Sequence, residues 1–148
     1  MIKCLAEDRG LLISALALVS AIRLGLWVFP VKTVARIAGR LVPREPGMSE
    51  DPFRADRVAR AVARASRVVP GARCLTQALA AQVLLERSGL PTRLHIGVVG
   101  DPGQTVRGHA WVESQGVIVI GAGASGQWSP VLVVEGVRTW SLPRRRPS

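Results

Sequence analysis

Tyrosine is missing from the 148 residues, histidine and cysteine occur only twice each, and all aromatic residues together reach just 4%. So few flat side chains leave little on which single-stranded nucleic acid could stack. Two cysteines, Cys4 and Cys74, cannot build a disulfide framework. No C-x-x-C pair or Cys/His cluster points to a metal, so Cys74 reads as a thiol and no cofactor is called for. There is no Gly/Ser or Gln/Asn tract and no internal repeat, while 48% of the chain is apolar, which excludes a mainly disordered, fibrous or solenoid protein. Acidic residues are the scarce charge, 10 against 20 basic, for a net +10 and a pI near 11.6. An anionic partner fits that balance. All but two of the basic residues are arginine, and a basic balance alone is a weak nucleic-acid footprint, so no nucleic acid is expected.

The length suits one domain over residues 1–148, divided into N-terminal helices at 1–45, a core at 53–142 and a basic tail at 143–148. The mixed charges of Met1 to Gly10 fit a secretory signal poorly, which points to the cytoplasm. Leu11 to Phe29 is almost wholly apolar and approaches the roughly 20 residues that cross a bilayer, but Arg23 interrupts it and Gly25 and Pro30 weaken its end. A helix buried or covered by a partner is the first reading, and peripheral membrane contact the second. Val31 to Leu41 patterns as a short amphipathic helix with Val34, Ile37, Ala38 and Leu41 on one side. Pro43 to Pro52 is a linker by its proline and charge.

A helix beginning near Asp51 or Phe53 lines up Arg57, Arg60, Arg64 and Arg67 opposite Val58, Ala61, Val62, Ala65 and Val69. That stripe is either a solvated face or a ridge for an anion or peptide. Pro70-Gly71 breaks the helix, Cys74 to Ser88 forms the next, and Gly89 ends it. Strands follow at Thr92 to Val99, Arg107 to Glu113, Val117 to Ile120 and Val131 to Val134, with Ser114-Gln115-Gly116 expected as a three-residue hairpin loop.

Cys74 therefore opens a helix just after a break, beside unpaired N–H groups and the positive end of the helix dipole, where a thiolate is favoured. His109, on a strand, is the natural base for such a sulfur and the acid for a leaving amine. The Cys74 N–H is the candidate oxyanion donor. Gln77, one turn on, either contacts substrate or covers the first turn, and Trp111 either lines a cleft or fills the core. Cys4, in a charged terminus expected to fray, carries no role, nor do Trp128 and Trp140.

The run Arg73-Cys74-Leu75-Thr76-Gln77-Ala78-Leu79, then Leu84 to Gly89, Leu94 to Val98 and Gly108-His109-Ala110-Trp111-Val112-Glu113 resembles the lasso-peptide biosynthesis B2 proteins, leader peptidases. The likeness covers roughly residues 10 to 122. It implies an α+β fold with a papain/transglutaminase-like core, a nucleophile helix packed on an antiparallel sheet and flanking N-terminal helices. It also implies a Cys-His-Asp triad in which Cys74 matches the nucleophile and His109 the base. The chemistry implied is cysteine-protease removal of the leader from a lasso precursor, with a separate leader-binding B1 protein and an ATP-dependent cyclase as partners.

The third triad member is where the chain departs. With the expected loop, residue 113 pairs with 117 and 109 with 121, and position 121, aspartate in the resembling proteins, is Gly121. Glu113 lies four residues from His109, about 13 Å along a strand, too far to replace it. Asp101 and Glu135 are the acidic residues within folding reach, and water, Gln127 or a backbone carbonyl are the neutral orienters. His95 faces the same side as His109 if Gly97 lies opposite that histidine. Two rival readings remain. One is a degenerate, non-catalytic subunit that binds leader or cyclase through the apolar helix and the arginines 57, 60, 64 and 67; the other is a transglutaminase-type acyl transferase.

Overall fold

In a computed structural model, residues 2–42, 53–99, 103, 107–121, 129–135 and 139–141 are described. Four helices precede an antiparallel sheet, giving the α+β arrangement expected. The helices are α1 (Ile2–Val28), α2 (Val31–Gly39), α3 (Arg54–Val68) and α4 (Cys74–Arg87). The strands are β1 (Arg93–Val99), β2 (Arg107–Ser114), β3 (Val117–Ile120), β4 (Ser129–Glu135) and β5 (Thr139–Ser141), in the sheet order β3-β2-β1-β4-β5. The expected linker from Pro43 to Pro52 lies outside the described residues.

The apolar run forms a longer helix than its composition suggested. The charged opening segment, expected to fray, is helical from Ile2, so Cys4 stands within α1. Arg57 of α3 explains part of this, since its Nε donates to Asp8 Oδ1 at 2.8 Å and its Nη2 approaches Glu7 Oε2 at 3.4 Å. Leu5–Val28 is long and apolar enough to cross a membrane. One side of it is nevertheless core: Leu11, Ala15, Leu18, Val19 and Ile22 join Val58, Val62 and Ala65 of α3 and the buried face of α4. Arg23, the charge that interrupts the run, lays its guanidinium over the turn between α3 and α4. A Cβ on Gly71, whose φ is +74°, would fall 2.7 Å from Arg23 Nε.

Gly25 lets α2 fold back closely, with its Cβ position 3.3 Å from Val34 Cγ2. Of the expected face Val34 and Ala38 are buried, together with Ala35, but Ile37 and Leu41 are each 49% exposed. Helix α4 is buried nearly all round, with Ala78 to Leu85 inside, and it forms the axis on which α1, α3 and the sheet pack. Its Leu79 and Val83 share the core with Leu94 of β1 and Ala110 and Val112 of β2.

The β2–β3 hairpin is one residue tighter than expected. Ser114 pairs with Val117, leaving only Gln115 and Gly116 in the loop, both with positive φ (53° and 80°), as a type I′ turn requires. A bulge between Val112 and Glu113 then shifts the register so that Val112 pairs with Ile120. Position 121 therefore continues beside Trp111, and the expected pairing of 109 with 121 does not form. Strand β4 is longer than expected, and β5 has no counterpart in the sequence reading.

Candidate active site

Helix α4 begins at Cys74 because Arg73 leaves the helical region (φ −86°, ψ 179°) while its carbonyl already accepts the Gln77 N–H at 3.0 Å. No side chain caps this end, so the first-turn amides of α4 have no intrahelical acceptor and no side-chain cap. Cys74, whose free thiol is half-buried, is the first residue of that turn. Gln77 turns its amide back, Nε2 donating to the Ala72 carbonyl at 3.2 Å. Of the two roles that sequence left open this contact is the turn-covering one, and it ties Gln77 to the chain that leads into Cys74.

Strand β2 alternates strictly in burial. Ala110, Val112 and Ser114 are buried, while His109, Trp111 and Glu113 share the other, half-exposed side. Opposite them, β1 sets Gly97 against His109, His95 against Trp111 and Arg93 against Glu113. The pairing of Gly97 with His109 is the one on which the placement of His95 depended. The result is a row of rings: His95 stacks on Trp111 with centroids 5.1 Å apart and planes 4° off parallel, and Trp111 stacks on His109 at 6.0 Å and 21°. His95 Nε2 donates to Glu113 Oε2 at 3.2 Å, so the carboxylate of β2 serves His95 and not His109.

His109 Nε2 lies 2.8 Å from the backbone oxygen of Gly121. A carbonyl can only accept, so Nε2 carries the proton of this hydrogen bond. Gly121 thus supplies a partner for the histidine where the resembling proteins have aspartate, but through its main chain. Its φ is +88°, and a Cβ there would fall 2.7 Å from the Ala110 oxygen and 2.8 Å from Trp111 Cβ. The close approach that brings the carbonyl to the ring admits no side chain.

The other proposed orienters fall away or lie elsewhere. Glu135 pairs with Arg93, four positions along β1 from Gly97, about 13 Å from the level of His109. Asp101, Gln127 and Trp128 lie outside the described residues. Helix α4 packs on β2 through the Ala110 and Val112 side, whereas His109 stands on the opposite side of the strand, so the expected juxtaposition of Cys74 and His109 is not formed and no hydrogen bond joins the two side chains among the described residues.

The arginine stripe is divided. Arg57 is held by Glu7 and Asp8 with 15% of its side chain exposed, while Arg60, Arg64 and Arg67 are exposed. Arg57, Arg60 and Arg64 border a cleft of about 280 Å³ with Asp8 and Leu12, at the α1–α3 seam. None of these arginines belongs to the histidine row.

A family model for the transglutaminase-like superfamily matches residues 16–133, most of the chain and every element that positions Cys74 and His109. The chain belongs to the transglutaminase-like superfamily. That superfamily includes cysteine proteases and acyl transferases, chemistries that share a thiol nucleophile and an acyl-enzyme. No curated protein and no solved structure matches the chain. The matched region contains both Cys74 and His109, the residues that the sequence singled out. Sequence reasoning missed Trp111 as the piece joining two histidines, although the alternation of His109, Trp111 and Glu113 with Ala110 and Val112 was the available signal.

Proposed function

We propose that the chain is a cysteine peptidase that removes the leader from a ribosomally made lasso-peptide precursor through a thioester. The observation that carries the reading is the superfamily match across the Cys74 helix and the His109 strand, with the Gly121 carbonyl fixing the His109 ring through Nε2. His109 Nδ1 takes the Cys74 proton and the thiolate adds to the carbonyl at the leader–core junction. The new C–S bond forms as the oxyanion develops toward the first-turn amides of α4. On collapse the C–N bond breaks, and the imidazolium gives its proton to the departing core amine. Water, deprotonated by the same nitrogen, then hydrolyses the leader thioester. His109 stands on the β2 side opposite the one that packs on α4, so this step requires its ring to come round to the start of α4 when substrate binds.

A neutral carbonyl stabilises the imidazolium less than a carboxylate. Losing the carboxylate from a serine triad costs about 10⁴ in kcat, but a thiol at a helix start depends on it less. By resemblance the partners are the precursor, a leader-binding B1 protein and an ATP-dependent cyclase that uses the freed amine. Incubating the chain with precursor and B1 protein and reading leader release by mass spectrometry tests the proposal. Cys74→Ala is expected to abolish release and leave binding intact. Unchanged product from Cys74→Ala would establish the rival reading, a non-catalytic subunit, which the missing carboxylate at Gly121 favours. Adding a primary amine separates the acyl transferase: an amide product in place of the free acid would replace the peptidase reading.

A further inference from the structure

We propose that the outer side of α1, together with the α1–α2 corner, is a docking surface for an anionic lipid bilayer, on which the protein lies with α1 in the membrane plane. Ile13, Ala17, Ala21, Leu24 and Val28 recur at spacings of three and four and are all exposed, opposite the buried Ala15, Val19 and Ile22. The stripe runs about 22 Å at 1.5 Å per residue. At its end Trp27, 79% exposed, and Phe29 project from the corner, and Ile37 of α2 and Leu41 just beyond it are exposed as well. Lys32, Arg36 and Arg40, one helical turn apart and all exposed, border this apolar corner.

Charge identifies the occupant. From Arg9 to Val42 the chain carries Arg9, Arg23, Lys32, Arg36 and Arg40 and not one aspartate or glutamate. A second copy placed on this face would bring the same cations against these, a like-charge juxtaposition that disfavours association. An anionic leaflet attracts each basic residue near its surface, and an apolar face ending in tryptophan beside cations is the composition of a helix seated in the lipid interface. A spanning arrangement conflicts with the packing, since Ala15 and Val19 are fully buried against the protein and Arg23 is held on the Gly71 turn. The surface does not depend on the reaction of Cys74, and its test does not read cleavage.

Flotation of the full chain with vesicles of phosphatidylcholine alone, or with 30% phosphatidylglycerol, is the experiment. Binding is expected to the anionic vesicles, to weaken with added salt, and to fall roughly a hundredfold in K32Q/R36Q/R40Q, by the loss of three surface cations. L24S/W27S/F29S should not bind, although none of the three side chains is buried and its circular dichroism should match the parent. Quenching of the parent chain's tryptophan emission by brominated-acyl phosphatidylglycerol, expected here, needs no variant. Equal binding to neutral vesicles, or none to anionic ones, overturns the proposal. So does a dimer by light scattering that L24S/W27S/F29S dissolves, with no vesicle binding, which would give the face to a second copy.

Discussion

Putting an aspartate back at position 121 looks, from the sequence, like completing a triad. The backbone there forbids it. Gly121 adopts φ +88° with the Ala110 oxygen and the Trp111 side chain where a Cβ would go, so any side chain forces the peptide to move, at a cost on the order of 1–3 kcal/mol. The group that moves is the one whose oxygen meets His109 Nε2 at 2.8 Å. Both Gly121→Asp and Gly121→Ala are therefore expected to lower the melting temperature, by roughly 3–10 °C for a chain of this size, and to slow leader release. Faster release by Gly121→Asp, with an unchanged melt, would show that the carboxylate can be accommodated and that the carbonyl bond is dispensable. The position was legible in the sequence as the odd member of a familiar pattern. The compensation was not, because a main-chain acceptor has no residue type to read.

Across β1 and β2 the informative unit is the row His95, Trp111, His109. Trp111 is the only ring touching both histidines among the described residues, and Glu113 holds the far one through His95 Nε2. A stacked aromatic pair is worth about 0.5–1.5 kcal/mol beyond its burial, so removing Trp111 frees the His109 ring to rotate out of line with the Gly121 carbonyl. Trp111→Ala is expected to cut kcat for leader release about tenfold with little change in KM, and Trp111→Phe to recover most of it, which steady-state kinetics on the two variants would read. A KM effect of the same size from both variants would instead make Trp111 a substrate contact. Period-two alternation made β2 readable, and turn chemistry made the hairpin readable to within one residue. The bulge at Val112–Glu113 escaped, since nothing in Val-Ile-Val-Ile distinguishes the residue that slips. Around α2 the amphipathic pattern grouped Val34, Ile37, Ala38 and Leu41, yet Gly25 admits Val34 against α1, Ala35 and Ala38 are buried with it, and Ile37 and Leu41 stay exposed.

For the molecule as a whole, α1 was the ambiguous element, because an uninterrupted apolar run reads the same whether protein or lipid covers it. The fold divides it by face. Ala15, Val19 and Ile22 belong to the same buried cluster as α3, α4 and the sheet, whereas Leu24 and Ile13 touch water. Two substitutions on one helix separate the roles. Val19→Ser removes apolar volume and inserts a hydroxyl at a site with no exposed surface, which costs about 2–4 kcal/mol from the lost transfer energy, the cavity and the desolvated oxygen. The melting transition should fall by about 10 °C and remain a single cooperative step, because the core cluster runs continuously from α1 to β2. Leu24→Ser, five residues later, should leave the melt within about 2 °C, as surface changes within roughly 0.5 kcal/mol do. Differential scanning calorimetry of the pair reads both. Equal, small shifts would mean that α1 is an appendage and that the helices α3 and α4 hold the site without it; two resolved transitions for Val19→Ser would say the same. The expected asymmetry instead ties the N-terminal helix to the Cys74 helix through shared burial, so that a lesion at Val19 reaches Cys74 by loosening the helix that carries it.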